Sequence, residues 1–197
     1  MQIKKDENPF RLFKLWMDKA KKEEINDPEA MAFSTVASTG VPSVRMVLLR
    51  DFDHRGFVFF TNYNSRKSQE LKQNHNGALC FHWKSIRRQV RAVGFVEKVS
   101  SEESDNYYAS RPVGSRIGAW ASKQSEKLLS RQELKDRFEK YSKKFSDNKP
   151  HRPDFWGGFR LVPSSIEFWS DGKDRLHDRY LFNLSKDGGW EISRLYP

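Results

Sequence analysis

The 197-residue chain carries 36 Lys and Arg against 26 Asp and Glu, a formal net charge of +10 at pH 7. A basic chain can bind nucleic acid, but these cations are scattered, with no block of like charge and no basic helical stripe. We therefore expect small phosphorylated ligands and no nucleic-acid partner. Fifteen Phe and six Trp supply enough apolar surface for a core and exclude a disordered chain.

Cysteine content and hydropathy exclude several further classes of protein. Cys80 is the only cysteine, which excludes an intrachain disulfide and a zinc site built from cysteines. The five histidines show no ligand spacing, so no metal is expected. No apolar run could span a bilayer, and no secretory signal is visible. We expect a cytoplasmic protein with no membrane partner and one domain over residues 1–197.

The elements predicted in chain order are short strands at hairpin spacing with helices between them. The first is an amphipathic helix, placed in the segment 1–25 and capped by Asn8-Pro9. Strands are predicted at 32–38, 44–50, 57–62, 78–83, 88–99, 159–162, 165–169, 175–184 and 190–195, and further helices at 65–74, 100–111 and 130–145. This order favours an antiparallel barrel decorated with helices, and no Gly-x-Gly-x-x-Gly run indicates a Rossmann domain.

The strand predicted at 44–50 has an apolar middle, with Arg45 embedded near its start and Arg50 at its end. An arginine among apolar strand residues usually has a partner. Strict alternation places Arg45 and Arg50 on opposite faces of the strand. They would then serve different ligands, unless the strand ends or bulges between them.

A stronger anion-binding signal surrounds Ser65, the predicted cap of a short helix. Arg66 and Lys67 follow in the first turn, where cations oppose the helix dipole by about 0.3–1 kcal/mol each. Together with backbone N–H groups and the Ser65 hydroxyl, they would converge on a phosphate. The alternative is an exposed helix start with solvated side chains.

Two further groups of polar side chains follow along the chain. Tyr107 and Arg111 share one helix face, and Ser115 comes next in a predicted loop, so the three could hold a phosphate beside a ring. The alternative is a surface Tyr–Arg pair. Gln89 and the loop 117–125 add amides and hydroxyls, which suit the edge of a heterocycle.

The last cluster lies near the C-terminus. If Arg175 begins a strand, then Arg175, His177 and Arg179 point to one face, because successive side chains alternate. Cations gathered in this way need an anionic or electron-rich group against them, although a solvated edge strand is the alternative. Since the chain has no nucleophile elbow and no P-loop, these sites together favour a cofactor that carries the reaction itself.

Taken in order, these motifs resemble the pyridoxine (pyridoxamine) 5′-phosphate oxidase family, FMN enzymes with a split-barrel fold. The resemblance runs from about Asn8 to Pro197. The motifs that carry it are Arg45-Met46-Val47-Leu48-Leu49, Thr61-Asn62 with Ser65-Arg66-Lys67, Arg88-Gln89-Val90, Ser110-Arg111-Pro112, Ile117-Gly118-Ala119-Trp120, Lys123-Gln124-Ser125, Phe155-Trp156-Gly157-Gly158-Phe159, and Phe168-Trp169 followed by Arg175-Leu176-His177-Asp178-Arg179. The last motif separates true oxidases from looser relatives of the fold.

The resemblance implies a mainly β fold with peripheral helices, an FMN-binding split barrel of the antiparallel six-stranded type. It implies that FMN is bound by Arg45, Met46, Val47, Leu48, Phe60, Thr61, Arg66, Lys67, Gln89, Gln124, Ser125, Trp169 and Arg179. It implies that the substrate phosphate is bound by Arg50, Tyr107, Arg111 and Ser115, with Arg175 and His177 as catalytic residues over the reacting end. Residues 165–197 would form dimerisation and substrate strands, with FMN at the interface of a homodimer, so that some contacts come from the partner chain.

The implied activity is FMN-dependent oxidation of pyridoxine and pyridoxamine 5′-phosphates to pyridoxal 5′-phosphate, with O2 as electron acceptor and H2O2 as product. Arg50 departs from the family, in which the matching position is usually lysine, so we expect altered affinity with the activity kept. The alternatives are a flavin reductase-like protein of the same fold, and a basic nucleic-acid-binding module without catalysis.

Overall fold

The computed structural model describes residue 3 and residues 7–197, so the predicted segment 1–25 lies partly outside the described residues. Its helix, α1, spans Pro9–Glu23. The start is as predicted: the Asn8 side chain accepts hydrogen bonds from the backbone N–H groups of Phe10 and Arg11, and Pro9 occupies the first helical position.

The remaining helices and the strands follow the predicted order. The strands are β1 (Ala30–Val36), β2 (Pro42–Leu48), β3 (Asp51–Asp53), β4 (Gly56–Asn62), β5 (Asn76–Trp83), β6 (Arg88–Lys98), β7 (Trp156–Ser170), β8 (Asp178–Leu184) and β9 (Trp190–Leu195). The helices are α2 (Arg66–Gln73), α3 (Ser101–Ser110), α4 (Val113–Ala121) and α5 (Arg131–Lys144), with one 3-10 turn at Lys173–Arg175. None of the described helices combines the length and apolarity needed to cross a membrane.

In the described residues the strands form one antiparallel sheet, in the order β2-β1-β5-β6-β7-β4-β3, with β8 and β9 continuing from β7. β7 is the central element, because its first half pairs with β4, its second half pairs with β8, and most of its length pairs with β6. The predicted mainly β fold with peripheral helices is therefore confirmed.

The core lies between α1 and one face of this sheet. Phe13 makes edge contacts with Phe52 and Phe57, at ring-centroid distances of 4.8 and 4.9 Å. Trp16 packs edge-on against Phe168 at 5.2 Å. Edge contacts between buried rings contribute about 0.5–1.5 kcal/mol each beyond the surface they bury. The N-terminal helix thus covers one face of the sheet through aromatic packing.

The structure differs from the prediction at several elements. The two strands at 159–162 and 165–169 are one strand, β7. It tolerates Pro163 because this residue lies opposite Gly94 at a register shift, the kind of irregularity at which proline occurs in a sheet. Residues 113–121, predicted as loop, form α4. The short strand β3 was not predicted.

The strand predicted at 175–184 begins only at Asp178. Asp174 and Arg175 have positive φ angles of 56° and 64°, a left-handed conformation that no strand contains. The prediction that Arg175, His177 and Arg179 share one strand face is therefore wrong. A tight turn places Arg175 instead.

Gly94 offers a test of the close approach of β6 to β7. A Cβ atom at this position would lie 2.0 Å from the Val162 carbonyl oxygen, so the backbone would have to move. We expect Gly94→Ala to lower the free energy of unfolding by about 1–3 kcal/mol, the usual cost of overpacking. Urea denaturation measures it. Gly114→Ala is the control, because its Cβ would meet no atom within 4 Å, and equal stabilities of the two variants would contradict the predicted approach.

Candidate functional site

A cavity of about 1070 Å³ opens between β2, β4 and the helices α2, α3 and α4. Its size is at the upper end of the range of ligand pockets. Fourteen of the residues predicted for the site line it: Arg45, Met46, Val47, Leu48, Arg50, Phe60, Thr61, Arg66, Lys67, Tyr107, Arg111, Ser115, Gln124 and Ser125. The fold therefore gathers side chains from separate motifs around one space.

Arg45 and Arg50 were expected on opposite faces of one strand, but the strand ends between them. β2 ends at Leu48, so the alternation of side chains along a strand does not apply to Arg50. Its backbone N–H donates to the carbonyl of Val58 on β4. Both arginines consequently line the same cavity.

Lys67 lies buried at one end of the cavity. Its ammonium donates hydrogen bonds to the hydroxyls of Thr61 and Ser65, each at 3.0 Å, and approaches the Gln124 amide oxygen at 3.5 Å. Burial, with a smaller contribution from the charge of Arg45, lowers the pKa of Lys67 from its ordinary 10.5 to about 8. A buried cation whose hydrogen bonds go to neutral oxygens is well suited to receive an anion.

Ser65 occupies the cap position of α2, but its hydroxyl does not cap the helix. It lies 3.1 Å from the Ser68 hydroxyl and accepts the hydrogen bond from Lys67. The start of α2 therefore differs from the prediction in one respect. The Ser65 hydroxyl accepts a hydrogen bond from Lys67 instead of accepting one from a backbone N–H group of the helix. The first turn contains no acidic residue.

Arg111 occupies another part of the cavity, with Tyr107 and Ser115. Its guanidinium carbon lies 4.6 Å from the centre of the Trp156 ring, and its Nη1 atom is buried without a hydrogen-bond partner among the described residues. Burial lowers the pKa of Arg111, and the charge of Arg50 contributes. A buried donor left unpaired costs about 1–3 kcal/mol, so this group fits an anion that would accept from it.

Aromatic rings form a wall beside Arg111. Phe60 stacks on Tyr107 at a centroid distance of 4.0 Å and on Trp156 at 5.6 Å. All three rings line the cavity. Flat apolar surfaces of this kind suit a planar ligand and exclude water from it.

The other five predicted residues, Gln89, Trp169, Arg175, His177 and Arg179, do not line this cavity, and we call them the C-terminal cluster. Gln89, Trp169 and Arg179 lie side by side across three neighbouring strands. The His177 ring packs against Trp169 at 4.7 Å, and Arg175 is exposed in the 3-10 turn.

Two members of the C-terminal cluster are fixed by hydrogen bonds. His177 Nδ1 lies 3.2 Å from the backbone nitrogen of Gly172 and 3.3 Å from Asp171 Oδ1. Arg179 Nε donates to Glu167 at 2.9 Å, which raises the pKa of this guanidinium. The cluster is thus ordered, yet it lies apart from the cavity.

Sequence reasoning missed two residues that shape the cavity. Trp156 was quoted only as part of a motif, because its place against Phe60 depends on the pairing of β4 with β7. Glu70 was not singled out at all. Its position four residues after Arg66 could have indicated an ion pair between them, since residues four apart on a helix are neighbours.

Two family models cover most of the sequence. Residues 17–145 match the model described as "Pyridoxamine 5'-phosphate oxidase", and residues 156–197 match "Pyridoxine 5'-phosphate oxidase C-terminal dimerisation region". The chain belongs to the pyridoxamine 5′-phosphate oxidase family. The C-terminal match includes four of the five residues of the C-terminal cluster.

Individual relatives in this family are similar over nearly the whole chain. A protein of Trichormus variabilis named "Pyridoxine/pyridoxamine 5'-phosphate oxidase" is 52% identical over 196 residues, covering 100% of this chain and 92% of that protein. A protein of Brucella canis with the same name is 56% identical over 190 residues, covering 96% of this chain and 94% of that protein.

Solved structures of the pyridoxamine 5′-phosphate oxidase type confirm the split-barrel fold. PhzG from Burkholderia lata 383, solved with tetrahydrophenazine-1-carboxylic acid, is 29% identical with a TM-score of 0.90, covering 96% of this chain and 93% of that one. A pyridoxamine 5'-phosphate oxidase-related, FMN-binding protein from Nostoc punctiforme PCC 73102 is 14% identical with a TM-score of 0.79, over 98% and 100% of the two chains. At that identity the second likeness concerns the fold alone.

Lys67 gives a test of the electrostatics of the cavity. We expect Lys67→Met to raise the free energy of unfolding of the ligand-free protein at pH 7, because a buried ammonium destabilises the fold. The gain should shrink as the pH rises from 8 towards 10.5, where the folded chain already holds a neutral lysine while the unfolded chain still binds the proton.

Urea unfolding at several pH values measures this difference. Lys72→Met is the matched control, since Lys72 lies exposed on the same helix and its replacement should change stability little. A loss of stability in Lys67→Met at every pH would contradict the assignment of a strained buried cation.

Proposed function

We propose that the chain is an FMN-dependent oxidase that converts pyridoxine 5′-phosphate and pyridoxamine 5′-phosphate to pyridoxal 5′-phosphate, with O2 as electron acceptor and H2O2 as product. One observation carries the proposal: two separate groups of cations line a single cavity, Lys67 with Arg45 and Arg66, and Arg111 with Arg50. Two phosphate-bearing ring compounds held in contact would occupy such a cavity. The names of relatives at 52% and 56% identity support the same activity.

The first cation group fits the phosphate of FMN. Lys67 is buried, and within the described part of the chain its hydrogen bonds go to neutral oxygens, while Arg66 adds a guanidinium at the start of α2. Thr61 donates to Gln124 at 3.1 Å, which would fix this amide against the edge of the flavin. When bound, FMN would supply the acceptor for the hydride that leaves the 4′ carbon of the substrate.

The second cation group fits the phosphate of the substrate. The unpaired Nη1 of Arg111 would gain its missing acceptor there, and Arg50 would add a second guanidinium capable of two parallel hydrogen bonds. Tyr107, stacked on Phe60, would flank the substrate ring. These residues would bind and orient the substrate, which is the protein's main contribution in an enzyme whose cofactor carries the chemistry.

We infer a homodimer in which the C-terminal cluster of one subunit completes the cavity of the other. The cluster lies outside the cavity lining of its own chain, and the match to the dimerisation region covers residues 156–197. Val44 and Met46, 69% and 63% exposed, flank the cavity with apolar surface that a partner would cover. Arg175 would then hold the reacting end of the substrate, with His177 beside it.

The rival of the same fold is a flavin reductase-like protein. The unpaired Arg111 donor beside the stacked rings of Tyr107 and Phe60 favours the oxidase, because it fits a phosphate attached to one small ring. We expect the activity to serve vitamin B6 metabolism in the cytoplasm, carried out by a single-domain chain.

The activity itself is tested by spectroscopy and by peroxide release. The protein should purify yellow or become yellow on reconstitution with FMN, and it should release H2O2 from both phosphorylated vitamers. Non-phosphorylated pyridoxine is the control, and it should react poorly because Arg111 gains no acceptor from it. A colourless protein after reconstitution would refute the cofactor. A yellow protein that releases no peroxide would point to the reductase.

Subunit sharing is tested by combining two inactive variants. We expect Arg175→Ala to lower turnover by about 10²-fold through lost positioning, with FMN retained. Arg111→Ala should be inactive because it no longer binds the substrate phosphate. A heterodimer of the two variants, isolated with two affinity tags, should regain about half of wild-type activity, because one of its two sites receives an intact cavity and an intact cluster. No recovery in the heterodimer would place both residues in the same subunit's site.

A further inference from the structure

Glu70 lies beneath the first cation group and is not among the residues assigned to either ligand. Its side chain is 7% exposed. One carboxylate oxygen, Oε2, accepts hydrogen bonds from Thr35 at 2.5 Å and Ser43 at 2.6 Å, and lies 3.3 Å from Arg45 Nη2. The other oxygen, Oε1, accepts from Arg66 Nε at 2.9 Å. A single carboxylate therefore joins an arginine of β2 to an arginine of α2.

The same hydroxyls also hold Arg45 directly. Arg45 Nη1 donates to the Thr35 hydroxyl at 2.6 Å and to the Phe33 carbonyl at 3.1 Å, and Nη2 donates to Ser43. The side chain of Arg45 thus has one orientation, set by strand β1 and by Glu70. Among the described residues Arg66 donates to Glu70 through Nε, and its two terminal nitrogens remain available as donors.

Helix stability does not account for this arrangement. In the pair formed by Arg66 and Glu70 the cation precedes the anion, the less favourable order for residues four apart on a helix. Arg66 also lies in the first turn, where it opposes the helix dipole. A buried carboxylate is moreover weak evidence for stability, because its desolvation offsets much of the attraction it gains.

We propose that Glu70 is a positioning residue, which holds Arg45 and Arg66 in the orientation that binds the phosphate of FMN. This inference rests on the proposed function. The carboxylate acts through the two arginines and touches neither ligand. It would lower the entropy lost when the guanidinium groups are ordered, so that the phosphate meets donors that are already in place.

The charge of Glu70 has a second effect, on Lys67. Burial lowers the pKa of Lys67 and Arg45 lowers it further, whereas Glu70 raises it. Around this ammonium, β2 contributes Arg45 and α2 contributes Arg66 and Glu70, while Thr61 on β4 and Gln124 are neutral. Glu70 thereby helps to keep Lys67 protonated near neutral pH.

Burial alone raises the pKa of the Glu70 carboxyl. Hydrogen bonds from Ser43, Thr35 and Arg66 outweigh this effect, and the pKa falls to about 2. The carboxylate is therefore ionised at any pH at which the enzyme works, so Glu70→Gln removes a full charge while keeping the shape of the side chain.

The decisive experiment compares FMN with riboflavin, which carries the same ring system without a phosphate. Binding to the flavin-free protein is followed by the quenching of flavin fluorescence. In Glu70→Gln we expect the dissociation constant for FMN to rise about 10- to 100-fold, while that for riboflavin changes less than about threefold. Equal weakening for both flavins would show a general structural defect and overturn the proposal.

The pH profile provides a readout that a purely structural role would not move. Wild-type affinity for FMN should fall as the pH rises through about 8, because Lys67 loses its proton there. In Glu70→Gln the midpoint of this fall should move to lower pH. An unchanged midpoint would contradict the electrostatic role. Glu139→Gln is the matched control, since it breaks an exposed ion pair of the same i,i+4 spacing with Lys143 on α5.

A milder variant and a double variant cover the case in which Glu70→Gln folds poorly. Thr35→Val keeps the carboxylate but removes the hydrogen bond that Thr35 donates to Glu70 and the one it accepts from Arg45. It should weaken FMN binding in the same selective way. In an Arg66→Gln background, Glu70→Gln should raise the dissociation constant for FMN by a smaller factor than it does alone, because the arginine that Glu70 holds is already missing. Additive losses would refute positioning through Arg66. Wild-type protein that binds no FMN would instead refute the proposed function.

Discussion

Positive charge held without enough counter-charge is the constraint on which this molecule depends. Arg45 and Arg66 share one buried carboxylate, while Lys67 donates to neutral oxygens. Arg111 keeps a buried donor with no acceptor among the described residues. Burying cations in this manner destabilises the isolated fold, and the cost is recovered only when anions enter the cavity. Stability and ligand binding are therefore linked through the same few side chains.

The sheet and the first helix supply the rigidity that such a site needs. Aromatic packing of Phe13 and Trp16 fixes α1 against the strands, and β7 joins three neighbouring strands along its length. Cations that repel one another stay close only if their backbone supports cannot separate. The hydrogen bonds that Arg45 donates to β1 belong to this support, as do those that Glu70 on α2 accepts from Thr35 and Ser43.

Local patterns predicted most of the fold and much of the site. The caps at Asn8 and Ser100 and the strand alternation are short-range signals, and they gave the right elements. Arg175 was placed in a strand because alternation in the sequence carries no information on a left-handed turn. Two features depend on the pairing of strands that are distant in sequence, and short sequence patterns do not predict such pairing. They are the stacking of Trp156 on Phe60 and the separation of the C-terminal cluster from the cavity.

The length of β7 has a mechanical consequence. Trp156 near its start belongs to the aromatic wall of the cavity, and Trp169 near its end belongs to the C-terminal cluster. In a homodimer built as proposed, one strand would thus reach into both active centres. A change in the register of this strand would therefore displace residues of both centres at once.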